Sequence, residues 1–426
     1  MIDQILAGRE FDPRVIAAAK NAALQLTPRT DPTRTAIRLR VLDAFYAEGV
    51  DESDLAGTTG YGYDDPARAR YESLLARYFR AEAVLARLSI VSGTHAIVAT
   101  LAACVRPGEA ILCANGAPYD TLRNAIVTAK HSLVSDGRTY DEVALKSDGN
   151  VDISALKARV RDAQPRAVFV QRSRGYSTRR SLSINTIGAI CSAVKASSPK
   201  TLVLVDNCYG ELVEEREPLE VGADAIMGSL IKNIGGGLAP TGGYIAGRAE
   251  VIERVATRIF APGLGAGLGP TLGFGRALIQ GFFYAPGVVE NALRGLDFAA
   301  ALFAALGYEV SPAPGSIRTD IVQAIRLGDR PKLIAFARGL QRAMPINARF
   351  APEPGPVPGY LDPVIMSSGS FVSGATIDLS CDAPLRPPFE MYLQGGAMLE
   401  QAVLGVLLAA DAVVREGARA HQEGRD

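Results

Sequence analysis

The chain has 426 residues, and its 45 Lys and Arg residues balance 45 Asp and Glu residues, so the formal net charge is zero. Since nucleic-acid-binding proteins usually carry a basic excess, this balance argues against that class. Apolar residues make up 48% of the chain, which is too many for a disordered protein, yet no apolar run approaches the roughly 20 residues that a membrane span needs.

The cysteines, the histidines and the first residues predict the compartment. The five cysteines are scattered without CxxC pairs, as is typical of thiols in a reducing compartment. Three histidines are few for a metal centre, and the opening residues lack a basic segment followed by an apolar one. We therefore expect a cytoplasmic protein without a metal site.

The hydrophobic patterning predicts three domains along the chain. Residues 1–56 have a helical pattern and are expected to form an N-terminal helical arm. Residues 57–287 alternate between helical and strand patterns, which is typical of a mostly parallel sheet covered by helices on both faces. Residues 288–426 predict a smaller C-terminal α+β domain.

The predicted elements of the last two domains follow in chain order. In the middle domain, helices are predicted at residues 67–79, 96–105, 187–196 and 271–283, and strands at 88–92, 110–114, 167–171, 202–205 and, antiparallel, 244–246. In the last domain, helices are predicted at residues 288–306 and 332–343 and at the end of the chain, and strands at 308–311, 320–326, 364–366 and 375–379. Ligands of open parallel sheets bind at the carboxyl ends of strands, so functional residues are expected directly after each strand.

The first of these strand ends has the sequence Ser92-Gly93-Thr94-His95 and leads into a helix. Backbone amides at a helix N-terminus, together with small hydroxyl side chains, can bind an anion such as phosphate. Ser and Thr are also ordinary helix N-caps, so these residues alone are more typical of a structural cap.

Two further strand ends carry a carboxylate and an amine. Asp206 follows four apolar strand residues, so its carboxylate is expected to be buried beside a cation, which could be a protonated pyridine nitrogen, an arginine or Mg²⁺. Lys232 ends another apolar strand and, in apolar surroundings, would be nucleophilic enough for a Schiff base, although a lone lysine more often extends to the surface. Ser229 lies three residues earlier, where its hydroxyl could share an anion with the Ser92 cap.

The three strand ends together match the needs of one cofactor. Pyridoxal 5′-phosphate (PLP) requires an amide nest for its phosphate, a carboxylate that keeps its ring nitrogen protonated, and a lysine that forms a Schiff base with its aldehyde. The cap, Asp206 and Lys232 supply these groups in that order along the chain. The sequence therefore predicts a PLP site.

Longer motifs show a family resemblance that runs from about residue 57 to residue 396. They are GYGYDD (60–65), VSGTHAI (91–97), PYDTL (118–122), QRSRGYS (171–177), VDNCYGE (205–211), GSLIKNIGGGLAPTGGYIAGR (228–248), GSFVSGATIDLSCDAPLRPP (369–388) and QGG (394–396). In these motifs the chain resembles the methionine gamma-lyase-like family, which includes aluminium resistance proteins. The resemblance implies an α/β fold, the fold type I PLP-dependent transferase fold, with a large mostly parallel-sheet domain and a smaller C-terminal α+β domain.

The resemblance also implies roles at the cofactor ring. Lys232 would form the Schiff base, and Asp206 would pair with the pyridinium nitrogen. Tyr119 matches the tyrosine that stacks on the cofactor ring in related gamma-lyases, where an aromatic face also excludes water.

The cofactor's phosphate would be bound by the cap and the strand end beside it. The resemblance assigns the backbone amides of Gly93 and Thr94 and the hydroxyls of Ser92 and Ser229 to the phosphate. His95 follows directly and is either a further cofactor contact, through a hydrogen bond or stacking, or a structural histidine.

Two tyrosines and three arginines are the remaining candidate site residues. Tyr61 and Tyr63 fall where related enzymes send a loop into the neighbouring subunit's site, where a phenol could reach the phosphate or donate a proton. The alternative is a structural loop that is anchored by two packed tyrosines. Arginine can bind a carboxylate through two hydrogen bonds. We therefore expect Arg386, Arg174 or Arg172 to bind the substrate carboxylate, and favour Arg386.

The resemblance implies a PLP-dependent lyase that acts on a small amino-acid substrate. The expected reaction is γ-elimination on a γ-substituted L-amino acid, with cleavage of a carbon–sulfur or carbon–halogen bond. The alternatives are a lyase that converts vinylic γ-chloro amino acids into terminal alkynes, a β-eliminating carbon–sulfur lyase, and a non-catalytic protein of this fold with a role in metal tolerance. Shared active sites imply a homo-oligomer, either a dimer or a tetramer.

Overall fold

The computed structural model describes residues 1–27 and 31–423. Contacts within the chain divide it into two compact units. The large unit is Pro32–Pro286, and the small unit combines Met1–Asp31 with Gly287–Asp426. The three domains expected from the sequence, at residues 1–56, 57–287 and 288–426, stay a prediction.

Helices and strands make up most of the described residues. The helices are α1 (Ile2–Leu6), α2 (Pro13–Ala22), α3 (Pro32–Glu48), α4 (Pro66–Phe79), α5 (Gly93–Cys104), α6 (Asp120–Arg123), α7 (Ile153–Ala163), α8 (Ile184–Ser197), α9 (Ala249–Ile259), α10 (Gly275–Ala305), α11 (Arg330–Gln341) and α12 (Leu399–Glu423). The strands are β1 (Ala83–Arg87), β2 (Ala110–Cys113), β3 (Thr139–Glu142), β4 (Ala167–Gln171), β5 (Leu202–Asp206), β6 (Ala225–Ser229), β7 (Gly243–Gly247), β8 (Glu309–Ser311), β9 (Val322–Arg326), β10 (Val364–Ser368), β11 (Ser380–Pro384) and β12 (Glu390–Gln394).

The large unit contains a seven-stranded sheet in the order β1-β7-β6-β5-β4-β2-β3. The neighbouring strands from β6 to β3 are parallel, whereas β7 runs antiparallel to both β1 and β6. The predicted mostly parallel sheet is confirmed, and β7 is the antiparallel strand expected near residues 244–246. This order makes β5 and β6 neighbours, so the residues that follow them lie at the same edge of the sheet.

The central strands explain why the apolar runs in the sequence are continuous. The residues of β4 (AVFVQ) and β5 (LVLVD) are all buried, as expected of parallel strands that helices cover on both faces. Leu101 of α5, Phe169 of β4 and Val255 of α9 belong to one buried apolar cluster. This core supports the sheet edge that carries the polar residues.

The first predicted strand is wrong in position. The strand is β1, at residues 83–87, and residues 88–92 form the turn between β1 and α5. Ile90 in this turn is buried in the apolar cluster of the large unit. Its apolar character therefore comes from burial in a turn, which a short apolar run cannot distinguish from burial in a strand.

After residue 270, the predicted break between two helices and one predicted strand are also wrong. The helices predicted at residues 271–283 and 288–306 are one helix, α10, which contains Pro286. Phe282 and Val289, on either side of the proline, are fully buried, and burial of this kind offsets the roughly 3 kcal/mol that an internal proline costs a helix. The strand predicted at residues 375–379 is a turn segment, and the strand β11 begins directly after it.

The small unit contains a five-stranded antiparallel sheet in the order β10-β11-β12-β9-β8. Helix α11 packs closely on α12 at Gly339, where a Cβ would lie 2.5 Å from the carbonyl oxygen of Leu408. The unit has the α+β character predicted for the end of the chain. Among the helices of residues 1–27 and 31–423, none combines the length and the apolar content needed to cross a membrane.

Candidate active site

The candidate site lies where β5, β6 and the start of α5 meet in the large unit. Asp206 is the last residue of β5, and Ser229 is the last residue of the paired strand β6. A Cβ at Gly93, the first residue of α5, would lie 3.1 Å from Sγ of Cys208 and 3.5 Å from Cβ of Ser229. Glycine therefore permits the helix start to approach both strand ends, and the structure brings these predicted site segments together.

The start of α5 has the features of an anion-binding cap. The Ser92 hydroxyl oxygen accepts a hydrogen bond from the backbone N–H of His95 at 3.0 Å, so Ser92 is the N-cap of the helix. The backbone amides of Gly93 and Thr94 donate to no acceptor in the described part of the chain. Because such amides point out of the first helical turn, they are available to an anion.

Tyr119 contacts the same cap. Its hydroxyl is hydrogen-bonded to Oγ1 of Thr94 at 2.7 Å. Its backbone N–H donates to Oε1 of Gln171, the last residue of β4, at 3.0 Å. These two bonds hold Tyr119 between the end of β4 and the start of α5, while its stacking on a cofactor ring stays a prediction.

Asp206 is a buried carboxylate. Asp206 is 4% exposed, and its Oδ1 accepts a hydrogen bond from the backbone N–H of Cys208 at 3.1 Å. Burial raises the pKa of Asp206 to about 6, although hydrogen bonds from Cys208 and the positive charges of Lys232 and Arg179 oppose the rise. A further cation beside this carboxylate would stabilise its charged form.

Lys232 lies three residues beyond the end of β6 and is half-buried. Its Nζ donates a hydrogen bond to the hydroxyl of Tyr209 at 2.8 Å and lies 4.1 Å from the centroid of that ring. Its positive charge acts on Asp206. The amine is therefore held at the candidate site, whereas the sequence alone was also compatible with a lysine that extends to the surface.

Tyr209 is a site residue that the sequence analysis did not identify. It stands three residues after Asp206 in the motif VDNCYGE, but the motif does not show that its side chain contacts Lys232. Its φ of +70° lies in the left-handed region, which few residues other than glycine occupy. The carboxamide of Asn233 donates to the Tyr209 carbonyl oxygen at 3.0 Å, so a tertiary contact supports this conformation.

Arg179 is a second residue that the sequence analysis did not identify. It is 5% exposed, and its guanidinium donates to the carbonyl oxygens of Arg174 at 3.0 Å, Asn115 at 2.9 Å and Ala117 at 3.1 Å. Burial lowers the pKa of Arg179 to about 10. The guanidinium therefore remains charged at neutral pH, and its charge acts on Asp206.

Arg172 and Arg174 are both in the interior of the large unit. The side chain of Arg172 is fully buried and contacts Asn207 at 2.7 Å, Glu214 at 3.0 Å and Glu217 at 3.3 Å. Arg174 is 2% exposed. The structure therefore places Arg172 in a buried network of polar side chains, where its charge is already balanced by carboxylates.

Arg386 has a different environment in the small unit. It follows β11, and its Nη1 lies 3.3 Å from Oδ2 of Asp362. About a third of its side chain, 35%, is exposed. An exchangeable, partly exposed ion pair of this kind leaves the guanidinium accessible to another carboxylate.

Tyr61 and Tyr63 are exposed on the large unit, at 74% and 58%. Their ring centroids are 5.7 Å apart, so the two rings lie side by side. The backbone of the loop is anchored, because Gly269 donates to the Tyr61 carbonyl oxygen at 3.0 Å and Arg68 donates to that of Tyr63 at 2.9 Å. The loop is therefore fixed by its backbone, while the phenols face outwards.

The side chain of His95 lies in a surface cleft of the large unit. The imidazole lines a cleft of about 550 Å³ together with Lys130, His131 and Arg258. Its backbone N–H takes part in the cap through Ser92. A contact between the imidazole and a cofactor stays a prediction.

Comparison with protein families identifies the family of the chain. The family model described as methionine gamma-lyase matches residues 13–414. The protein belongs to this family. Membership makes PLP its cofactor and carbon–sulfur bond cleavage its general activity, and it confirms the resemblance and the fold type I architecture expected from the motifs.

Three relatives match nearly the whole chain. The uncharacterized protein YnbB of Bacillus subtilis (strain 168) is 42% identical over 381 residues, which cover 88% of this chain and 90% of that protein. The crystal structure of a carbon-sulfur lyase involved in aluminum resistance from Clostridium novyi NT has a TM-score of 0.90 at 38% identity, covering 96% of this chain and 98% of that chain. The crystal structure of a candidate cystathionine beta-lyase involved in aluminum resistance from Clostridium acetobutylicum has a TM-score of 0.90 at 41% identity, covering 94% of this chain and 96% of that chain.

Proposed function

We propose that this methionine gamma-lyase family member catalyses γ-elimination on a γ-substituted L-amino acid and releases a thiol. One observation carries the proposal. The amine of Lys232 is held by the Tyr209 hydroxyl at 2.8 Å, three residues after the end of β6. The neighbouring strand β5 ends in the buried carboxylate of Asp206. An amine and a buried carboxylate at neighbouring strand ends are two of the three groups that PLP requires of a protein.

The residues of the site fit this cofactor. Asp206, whose pKa burial raises to about 6, would be stabilised by a protonated ring nitrogen. The available amides of Gly93 and Thr94 would bind the phosphate, with the hydroxyls of Ser92 and Ser229 beside them. When bound, the cofactor supplies an electron-accepting ring that stabilises the negative charge left at the substrate Cα.

Lys232 is the proposed base of the reaction. Its neutral amine takes the proton from Cα of the substrate, and the loss of a second proton from Cβ accompanies departure of the γ substituent as a thiolate. Tyr119 lies at the cap through its bond to Thr94, and Tyr209 lies at the amine. These two phenols would keep water away from the reacting atoms and hold the base in place.

β-Elimination is the second candidate, and the name of one relative favours it. The similar protein from Clostridium acetobutylicum is named as a candidate cystathionine beta-lyase. Both reactions begin when a base removes the proton from Cα, so Lys232 serves either one. Only γ-elimination also needs a proton to leave Cβ, and the keto acid products differ by one carbon.

We propose Arg386 as the residue that binds the substrate carboxylate. Its guanidinium is partly exposed in the small unit, whereas Arg172 and Arg174 are buried in the large unit. Binding of a carboxylate by two parallel hydrogen bonds would replace its 3.3 Å contact with Asp362.

We also propose that the active form is a homo-oligomer. Tyr61 and Tyr63 are exposed, and so are Leu272 at 53% and Phe274 at 43%. The segment that precedes Phe274 is hydrogen-bonded through its backbone to the tyrosine loop. An exposed group of large apolar side chains marks an interaction surface. A second copy of the chain would cover this surface, and the phenols of one subunit would then lie near the active site of the other.

Borohydride trapping tests the assignment of Lys232. Reduction of the yellow, cofactor-loaded protein should leave the pyridoxyl group on the peptide that contains Lys232, as a mass increase. Lys232→Ala should lose this adduct and its turnover, and Lys157→Ala, exposed on α7, should keep both. Full turnover by Lys232→Ala would end the assignment.

A substrate panel tests the type of elimination. Methionine, cystathionine, cysteine and a γ-chloro amino acid are supplied separately, and thiol, ammonia and chloride release are measured. A four-carbon keto acid from methionine supports γ-elimination. A three-carbon keto acid from cysteine or cystathionine, without turnover of methionine, would instead establish β-elimination.

A further inference from the structure

Tyr209 and Lys232 are in direct contact at the ends of β5 and β6. Nζ of Lys232 lies 2.8 Å from the phenol oxygen and 4.1 Å from the ring centroid. A phenol oxygen accepts a hydrogen bond from an ammonium group, and an aromatic ring attracts a cation. Both contacts therefore favour the charged form of the amine, as does the negative charge of Asp206, and the thiol of Cys208 is a further titratable group that interacts with Lys232.

The backbone contacts of Tyr209 keep this arrangement in place. Asn233, the residue after Lys232, donates from Nδ2 to the carbonyl oxygens of Tyr209 at 3.0 Å and Glu211 at 2.9 Å. A residue with a positive φ, here +70° at Tyr209, persists only where its surroundings hold it. The segment that carries the lysine thus fixes the backbone of the tyrosine whose side chain contacts that lysine.

The other side of the same turn is fixed by Glu217, which is fully buried. Its Oε2 accepts from Nδ2 of Asn207 at 3.0 Å, and its Oε1 accepts from the backbone N–H of Leu212 at 3.0 Å. Residues 207–212, with Tyr209 between these two contacts, therefore form a turn braced at both ends. The position of the phenol is set by the interior of the large unit.

We infer that Tyr209 is a positioning residue that sets the pH at which Lys232 can react with an aldehyde. It holds the amine in one place and favours the ammonium, which cannot attack a carbonyl until a proton has left to solvent. The neutral amine then forms a carbon–nitrogen bond, and its two hydrogens leave with the aldehyde oxygen as water. The inference rests on the proposed role of Lys232 as the residue that carries the cofactor.

The pH dependence of cofactor capture tests this inference. Protein stripped of cofactor is mixed with PLP over a range of pH, and the rate at which the visible absorption band appears is measured. Tyr209→Phe keeps the ring but loses the hydroxyl, so its pH of half-maximal rate should fall by about one unit. Tyr140→Phe is the matched control: its hydroxyl bonds Glu142 at 2.6 Å on β3, and three strands separate β3 from β6.

The outcomes separate this inference from the proposed function. An unchanged pH of half-maximal capture in Tyr209→Phe overturns the inference. Tyr209→Leu loses the ring as well and should shift this pH further. If Tyr209→Phe does not fold, Tyr209→Leu replaces it, and an unchanged pH of half-maximal capture in that variant likewise overturns the inference. Absence of a borohydride adduct on Lys232 in the wild type overturns the proposed function itself, whereas an adduct without the pH shift overturns only the role of Tyr209.

Discussion

The Asn233 carboxamide joins the segment of the candidate lysine to the left-handed Tyr209, since its Nδ2 donates to the Tyr209 carbonyl oxygen at 3.0 Å. The same amide group donates to the carbonyl oxygen of Glu211 at 2.9 Å. Asn233 is fully buried. Its side chain therefore satisfies two backbone carbonyls that have little access to water.

Asn233→Ala should lower the free energy of unfolding by about 2 to 4 kcal/mol, because two buried carbonyls lose their donor. Urea unfolding followed by circular dichroism measures this change. Asn185→Ala, whose exposed amide contacts Arg216, is the control and should change stability by less than about 0.5 kcal/mol. Equal effects of the two substitutions would contradict the bracing role of Asn233.

Glu211 should make the protein less stable as the pH rises. Burial raises its pKa to about 8, against hydrogen bonds that include one from the Tyr244 hydroxyl at 2.8 Å. The folded state then holds a proton that the unfolded state has already lost, so stability falls between about pH 4.5 and pH 8.

Glu211→Gln removes this titration. From pH 6 to pH 9, the wild type should lose about 3 kcal/mol more stability than the variant, as measured by urea unfolding at both pH values. Parallel losses in the two proteins would show that Glu211 does not hold its proton in the folded state.

The bond between Tyr119 and Thr94 should contribute to cofactor retention. Tyr119→Phe removes the partner of the Thr94 hydroxyl at 2.7 Å and should weaken PLP binding about two- to tenfold. Thr94→Val should have a similar effect, and the double variant should be little worse than either. Equilibrium dialysis, with bound cofactor measured by its fluorescence, gives the dissociation constants of PLP. Fully additive losses of binding free energy in the double variant would mean that the two hydroxyls act separately.

Arg172 and Arg386 should respond differently to substitution. Arg172→Met leaves the buried Glu217 without its cation and should cost about 3 to 5 kcal/mol of stability. Arg386→Gln should leave the unfolding free energy within about 0.5 kcal/mol and raise KM roughly tenfold. An unchanged KM in Arg386→Gln would remove that residue from the proposed carboxylate site.

The exposed aromatic surface should control assembly. Tyr61→Ser combined with Tyr63→Ser removes two rings exposed at 74% and 58% and should shift the protein to a smaller species in light scattering coupled to gel filtration. Leu361→Ser, at a side chain fully exposed on the small unit, should leave the mass unchanged. A wild type that is already monomeric would rule out the proposed homo-oligomer.

Much of the fold could be predicted from the sequence, because the central strands carry continuous apolar runs. β4 and β5 were predicted within one residue, since strands buried on both faces have no polar alternation to obscure them. Strand β3 (TYDE) was missed, because an edge strand needs few apolar residues. Residues 88–92 were misassigned, because a buried turn and a buried strand have the same composition.

The amino-acid sequence alone determined the list of reactive groups: the cap at Ser92 before a predicted helix, the carboxylate of Asp206 at the end of a predicted strand and the amine of Lys232 after an apolar run. Only the tertiary structure decided which side chains meet. The strand order places Asp206 beside the end of β6, the left-handed backbone of Tyr209 brings its phenol to Lys232, and the interior encloses Arg172. Local patterns report how deeply each residue is buried, whereas contacts between distant segments depend on strand order, register and positive-φ turns that no short window of sequence contains.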